Sequence, residues 1–212
     1  LLQTFLQKAD TKAFDAEHKR KLLFNIGKYN ATVVKGKKQY ADLEYVRKKA
    51  KNIKWKVMEN LDKYLIEFET NFTANGGKVI WAYDEKEAQQ EILKILQKKE
   101  ARMVVKAKSM ATEEIHLNEF LGEHNIESVE TDLGEYIQQL DGEAPYHIVT
   151  PAMHKSKDDV AKLFNEKLGT DLNLTAQELT LVARKNLRQK YVQADVGFSG
   201  ANFILPDIGG IA

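Results

Sequence analysis

From Tyr40 the apolar positions fall at Leu43, Val46, Ala50, Ile53, Val57, Leu61, Leu65, Phe68 and Phe72. These three- and four-residue steps draw one stripe along a long helix whose other face is rich in lysine. An earlier pattern from Phe14 through Leu22, Leu23, Ile26 and Tyr29 to Val33 predicts a preceding helix, and Gly36 in Lys35-Gly36-Lys37-Lys38 supplies the break. Residues 1–75 thus read as an N-terminal helical hairpin or arm.

Asn75-Gly76-Gly77 ends that region, and short apolar runs then alternate with helical ones. The predicted strands are 78–82, 102–106, 126–130 and 147–150; the predicted helices are 84–99, 112–123, 133–140, 156–168 and 175–190. Another β segment starts between Val192 and Leu205, through Gly197 and Gly200. Alternation of this kind predicts an α/β domain over residues 76–212, with a parallel sheet and helices on its faces. The chain stops at Ile204-Leu205-Pro206-Asp207-Ile208-Gly209-Gly210-Ile211-Ala212, in what reads as a strand and its turn. That predicts a domain incomplete at its C-terminus, with a final β segment short of partners.

Composition narrows the function. A chain of 212 residues with 43% hydrophobic content can hold one good core plus an extension, or two small domains. It contains no cysteine, which excludes disulfides, a thiolate nucleophile, thiolate metal ligation and a protein-held iron-sulfur cluster within this stretch. No window approaches the roughly 20 uninterrupted apolar residues of a membrane span, and the start lacks a signal-peptide layout, so a cytoplasmic location is expected. The formal charge of +1 hides an asymmetry: residues 1–60 carry 15 Lys/Arg against 6 Asp/Glu, and the remainder 17 against 25. A basic arm of this kind is either a solvated helix face or a contact for nucleic acid, a membrane surface or an acidic partner. The lack of aromatics arranged for stacking, beside an acidic main domain, argues against nucleic acid.

Ligands of open α/β sheets bind beyond the carboxyl ends of the strands, so the loops after residues 106, 130 and 150 are the places to look for chemistry. In the first, Lys108, Ser109 and Thr112 sit where a helix start can hold a phosphate or carboxylate, although Ser109 or Thr112 can equally cap the helix, and Glu113 complements its dipole. In the second, Asp132 and Glu135 belong to a group of carboxylates suited to ribose hydroxyls, cations or a basic chain, with Asp132 read first as an N-cap. In the third, His154 is a candidate acid/base near neutral pH, beside Lys155 as an anion contact. Ser199, Gly200 and Asn202 lie in a glycine-containing loop where backbone can approach a ligand closely. The five histidines have no metal-binding spacing, and neither a Walker sequence, a dinucleotide fingerprint nor a Gly-x-Ser-x-Gly elbow occurs.

Four stretches taken together carry a resemblance: Lys106-Ala107-Lys108-Ser109-Met110-Ala111-Thr112-Glu113-Glu114-Ile115, Val129-Glu130-Thr131-Asp132-Leu133-Gly134-Glu135-Tyr136-Ile137, His147-Ile148-Val149-Thr150-Pro151-Ala152-Met153-His154-Lys155, and Ala194-Asp195-Val196-Gly197-Phe198-Ser199-Gly200-Ala201-Asn202-Phe203. In this order they resemble the lactate-utilisation protein B family. The resemblance covers the chain from residue 76 onward and, more loosely, the basic arm. It implies a LUD domain, a three-layer parallel sheet with helices on both faces, similar to ribose-5-phosphate isomerase and CoA transferases (NagB/RpiA/CoA transferase-like), here truncated. It also implies a bacterial cytoplasmic iron-sulfur protein that works with two companion subunits to oxidise L-lactate to pyruvate. The 4Fe-4S clusters of that family sit on a downstream ferredoxin-like segment, so electron transfer is expected there, and this stretch alone is expected to be inactive. Where the family continues with a Glu-Thr-Gly-type turn, this chain has Asp207-Ile208-Gly209-Gly210. The resemblance assigns no catalytic residues. A small carboxylate or nucleotide-like ligand fits the strand-end loops. A transferase- or isomerase-like domain using Glu113, Glu135 or His154 as acid/base stands as the second reading.

Overall fold

The computed structural model describes residues 2–147 and 149–212. It divides into two compact units, one of Leu1–Gly36, Val105–Lys108 and Val129–Ala194, the other of Lys37–Val104, Ser109–Ser128 and Asp195–Ala212. The elements in chain order are α1 (Leu2–Ala13), α2 (Ala16–Lys37), α3 (Leu43–Met58), α4 (Leu61–Ala74), α5 (Glu85–Lys98), β1 (Met103–Lys106), α6 (Met110–Glu114), α7 (Leu117–Glu123), β2 (Glu127–Glu130), α8 (Leu133–Asp141), α9 (Lys157–Leu168), α10 (Ala176–Gln193), β3 (Val196–Phe198), β4 (Ile204–Leu205) and β5 (Gly210–Ile211). The result is a mixed α/β fold with a small parallel sheet of order β2-β1-β3 and a separate antiparallel pair, β4 with β5.

In the first unit α8 and α10 both pack on α9, burying Tyr136, Ile137, Leu163, Phe164, Leu179, Ala183 and Leu187. Local sequence sets the starts of these helices. Asp132 caps α8 by accepting from the Gly134 N–H. Ser156 with Asp159, and Thr175 with Glu178, form reciprocal capping boxes at α9 and α10. In the second unit Leu93 and Leu96 of α5 join Ala101, Val104, Leu117, Leu121 and Ile126 in one core cluster, with Val196 and Phe198 of β3 packed against it. Asp195 fastens the neighbouring chain: its carboxylate accepts from the Arg102 and Met103 N–H groups at 2.8 and 3.0 Å.

Several expectations are corrected. The stripe from Tyr40 to Phe72 is not one helix: it breaks between α3 and α4 at Asn60 (φ −137°, ψ 36°), whose side-chain amide donates to the Lys56 carbonyl. A short amide that satisfies the preceding turn in this way competes with the helical ladder. No residue of α3 is buried. Gly36 does not end the earlier helix, since α2 runs on to Lys37. The expected helix 112–123 is split into α6 and α7 at His116, which takes a left-handed φ of 46°.

Among the described residues the expected strand 78–82 has no ladder partner; its Trp81 indole N–H donates instead to Glu69. Gly77 allows the chain to turn back there, because a Cβ at that position would lie 2.2 Å from the Phe72 ring. Of the expected strand 147–150, Ile148 lies outside the described residues, His147 and Val149 lie in bends, and Thr150 has no regular structure. Pro145 and Pro151 flank this segment, and the His147 Nδ1 accepts from the Val149 N–H at 3.1 Å, a local bond that replaces a sheet bond. The final β segment, expected to lack partners, closes on itself: Ile204 pairs with Ile211 and Leu205 with Gly210. The 3₁₀ turn Pro206–Ile208 between them packs on α4. Asn71 Nδ2 donates to the Pro206 carbonyl at 2.8 Å, and Asn75 Nδ2 to the Ile208 carbonyl at 2.9 Å. Gly209 has φ +58°, and a Cβ there would stand 2.4 Å from the Asn71 backbone, so the position demands glycine twice over.

Candidate functional site

The first unit holds two polar groups of side chains that a simple core does not require. One is built from the ends of two strands. Lys106 and Glu130, the last residues of β1 and β2, form an ion pair at 2.8 Å with their side chains only 1% and 7% exposed. Thr131 closes the same end, its N–H and hydroxyl both donating to the Lys106 carbonyl. The Glu130 N–H donates to Gln139 Oε1 at 3.0 Å, tying the strand to α8. Glu135 is buried in the first turn of α8, where the helix dipole favours a carboxylate. Burial raises the Tyr136 hydroxyl above its ordinary pKa, against a hydrogen bond with Asn186.

The other group gathers on the loop between α8 and α9. The neutral His154 ring donates from Nε2 to Glu143 at 3.0 Å, while its Nδ1 is buried and has no hydrogen-bond partner among the described residues. Burial lowers the His154 pKa below 6.5, opposed by Glu143, so the ring is uncharged at neutral pH. Glu143 is itself held below the ordinary carboxylate range: burial pushes it up, and Lys155 and His154 outweigh that. Lys155 bridges Asp141 and Glu143. Its pKa is raised because those two carboxylates overcome burial. The Tyr146 ring lies 4.6 Å from His154, and its hydroxyl shares a 2.9 Å hydrogen bond with Nε2 of His18 on α2. Asn25 of α2 also reaches this loop, donating to the Met153 carbonyl at 2.7 Å. Of these, His18, Asp141, His154 and Lys155 line an open cavity of about 370 Å³, with Lys21 and Asp159. A carboxylate that orients an imidazole, leaving its second nitrogen unprotonated, is an arrangement suited to general-base chemistry.

The sequence-selected residues divide between the units. Lys108, Asp132, Glu135 and His154 fall in the first; Ser109, Thr112, Glu113, Ser199, Gly200 and Asn202 fall in the second. Ser109 and Thr112 come together, the Thr112 hydroxyl donating to the Ser109 carbonyl at 2.8 Å, and Ser109 makes no side-chain cap on the short α6. Asp132 serves as the cap of α8. Lys108 and Glu113 are half-buried. Ser199, Gly200 and Asn202 are exposed, and the Asn202 N–H donates to the Ala212 carbonyl. His154 is drawn to Glu143, Tyr146 and His18. Sequence reasoning missed Glu143 and Tyr146, on the same loop as His154, and His18, 128 residues before Tyr146. The one local signal was Tyr146, an aromatic hydroxyl between Pro145 and a histidine. Among the described residues there is no cluster of His, Asp and Glu that could hold a metal ion.

Fold and site therefore define a mixed α/β protein with a small parallel sheet, whose strand ends and following loops carry its polar side chains. Residues 65–212 match the LUD domain, and the chain belongs to the LUD domain family. It is similar to lactate utilization protein B of Bacillus cytotoxicus (40% identical over 178 residues, 84% of this chain and 38% of that protein). It is likewise similar to lactate utilization protein B of Bacillus subtilis strain 168 (43% over 167 residues, 78% and 35%). A third relative is the uncharacterized electron transport protein YkgF of Escherichia coli K12 (41% over 165 residues, 78% and 35%). The resemblance read from the four sequence stretches is borne out. The chain spans little more than a third of the length of these curated relatives. No solved structure matches it. No helix among the described residues is long and apolar enough to cross a membrane.

Proposed function

We propose that this chain is the LUD-domain part of an iron-sulfur subunit in a bacterial cytoplasmic complex that oxidises L-lactate to pyruvate with two companion subunits. The observation that carries the reading is its identity of 40% over 84% of its length with a lactate utilization protein B. The name of the electron transport protein YkgF supports an electron-transfer setting. In this reading the α/β part, residues 76–212, has the three-layer architecture of the NagB/RpiA/CoA transferase type, and the basic helices before it form an arm. The residues present do not fit an iron-sulfur cluster, because cluster irons take thiolate ligands and this chain has no cysteine. Electron transfer is therefore assigned to a ferredoxin-like segment in the part of the relatives' length that this chain does not span. The chain itself supplies scaffold and ligand-binding loops, with Lys108, Ser109 and Thr112, Asp132 and Glu135, and Ser199, Gly200 and Asn202 as loop candidates.

The test is genetic and biochemical. Deleting the gene should abolish growth on L-lactate while leaving growth on pyruvate intact, and lysates should lose L-lactate-dependent dye reduction. Unchanged growth and dye reduction would remove the reading. The Glu143–His154 pair favours a second one, a transferase- or isomerase-like domain in which His154 serves as acid/base and Glu143 holds the ring. Activity of the full-length protein that survives loss of its iron and falls with His154→Gln would select this second reading.

A further inference from the structure

Beyond the carboxyl end of β2, an open groove of about 730 Å³ runs between the start of α8 and one face of α10. Its size is within the roughly 300–1,000 Å³ of small-molecule sites. Leu133, Ala183 and Leu187 form an apolar floor, and Tyr191 adds an aromatic wall. Arg184 and Arg188 stand one helical turn apart on α10 at its edge. Both are exposed, and among the described residues neither is in an ion pair. No carboxylate among the described residues lines the groove, and Thr131, the first residue after β2, lines it with its hydroxyl donated to the Lys106 carbonyl. Asp132, the nearest acid in sequence, is turned to the Gly134 N–H as a cap.

These features are separate and agree. Strand carboxyl ends are where open α/β sheets take ligands. Two free guanidinium groups at one spacing suit a dianion, since arginine binds phosphate bidentately and stacks on flat rings. An apolar floor with a tyrosine wall suits a planar body, and the volume is far larger than a hydroxy acid such as lactate would fill. We infer that this groove binds an aromatic phosphomonoester, its phosphate between Arg184 and Arg188 and its ring on Leu133, Leu187 and Tyr191. The inference is independent of lactate chemistry and of the His154 cluster.

Calorimetric titration of the full chain with AMP and with FMN tests it, with adenosine and inorganic phosphate supplying the two halves of the ligand. At least one phosphomonoester should saturate with a Kd below about 1 mM, and each half alone should bind at least about tenfold more weakly. Arg184→Gln and Arg188→Gln should each weaken binding by about tenfold or more. Both side chains are exposed, so unchanged circular dichroism will show that the variants remain folded. Absence of saturable binding by both phosphomonoesters, or equal affinity in the double variant, overturns the inference. Adenosine binding as tightly as AMP, or inorganic phosphate as tightly as either, overturns it as well.

Discussion

Replacing Lys106 by methionine isolates the buried ion pair at the strand ends. The two charges are 2.8 Å apart and their side chains 1% and 7% exposed, so neither is rehydrated when the other is lost. Methionine keeps most of the volume and removes the charge, leaving the Glu130 carboxylate among the buried side chains of its sheet and helix. Breaking a buried pair from one side costs about 3–5 kcal/mol. For a domain stable by roughly 5–15 kcal/mol that is a large share of the whole. Removing both charges, as Lys106→Met with Glu130→Leu, takes the remaining carboxylate away as well, and such replacements range from neutral to stabilising. Urea unfolding of the full chain, followed by far-UV circular dichroism, should therefore show a sharp loss in Lys106→Met and substantial recovery in the double variant. If the double variant is as unstable as the single one or worse, the cost lies in packing or in further partners of these residues, and the reasoning fails.

The other predictions concern titration and backbone geometry. Burial tends to raise Asp159, but Lys21 at 2.6 Å and the bonds from Ser156 bring it from 3.8 down to about 2. Its contribution is present above the ordinary value and is lost as the pH falls toward 2. Lys21→Met should cost about 1 kcal/mol at neutral pH after allowance for solvent screening, and should flatten the acid limb of a pH–stability curve; an unchanged limb would refute this. His154 should titrate below 6.5 by NMR. Stability from its neutral form is complete above the unfolded-state value and is lost as the pH falls through the lowered one. Glu143→Gln should lower that midpoint further, and a midpoint at or above 6.5 would contradict the burial argument. Gly209→Ala meets both a positive φ and the Asn71 backbone, and should cost about 2 kcal/mol or more. Faster amide exchange at Phe203 and Ala212, whose N–H groups each donate to the other's carbonyl, would report it, and unchanged exchange would show that the turn yields without cost.

What could be read in the chain was whatever is encoded within a few residues. The starts of α5, α8, α9 and α10 were legible because Asp84, Asp132, Ser156 and Thr175 each reach the backbone two or three residues on. The runs of β1 and β2 were legible because both end a short apolar stretch. By contrast, 78–82 and 147–150 have strand composition, but strand formation needs a partner edge, which no local pattern reports. The break at His116 was hidden because a left-handed turn there falls on histidine instead of glycine. For the site, His154 stood out as a lone titratable residue after a predicted strand. Its partners His18 and Tyr146 are 128 residues apart, a separation that only tertiary structure closes. The Lys106–Glu130 pair was half visible: both strands end in a charge, of opposite sign, but their adjacency is a property of strand order.

The clamp of Asn71 and Asn75 on the Pro206–Gly209 turn bears on how the protein ages. Asn75 precedes Gly76, the dipeptide context in which asparagine most readily cyclises on the following nitrogen and opens to aspartate. While folded, Gly76 N–H is engaged with the Thr73 carbonyl at 2.9 Å, and the Asn75 amide donates to the carbonyls of Ile208 and Gly209 at 2.9 and 3.3 Å. Aspartate at this position would carry no donor and would set a negative oxygen against those two carbonyls. Each opening of the turn exposes the asparagine to this chemistry, and the product opposes reclosing. Deamidation at this one side chain would thus act as a slow, irreversible record of how often the closing hairpin has let go.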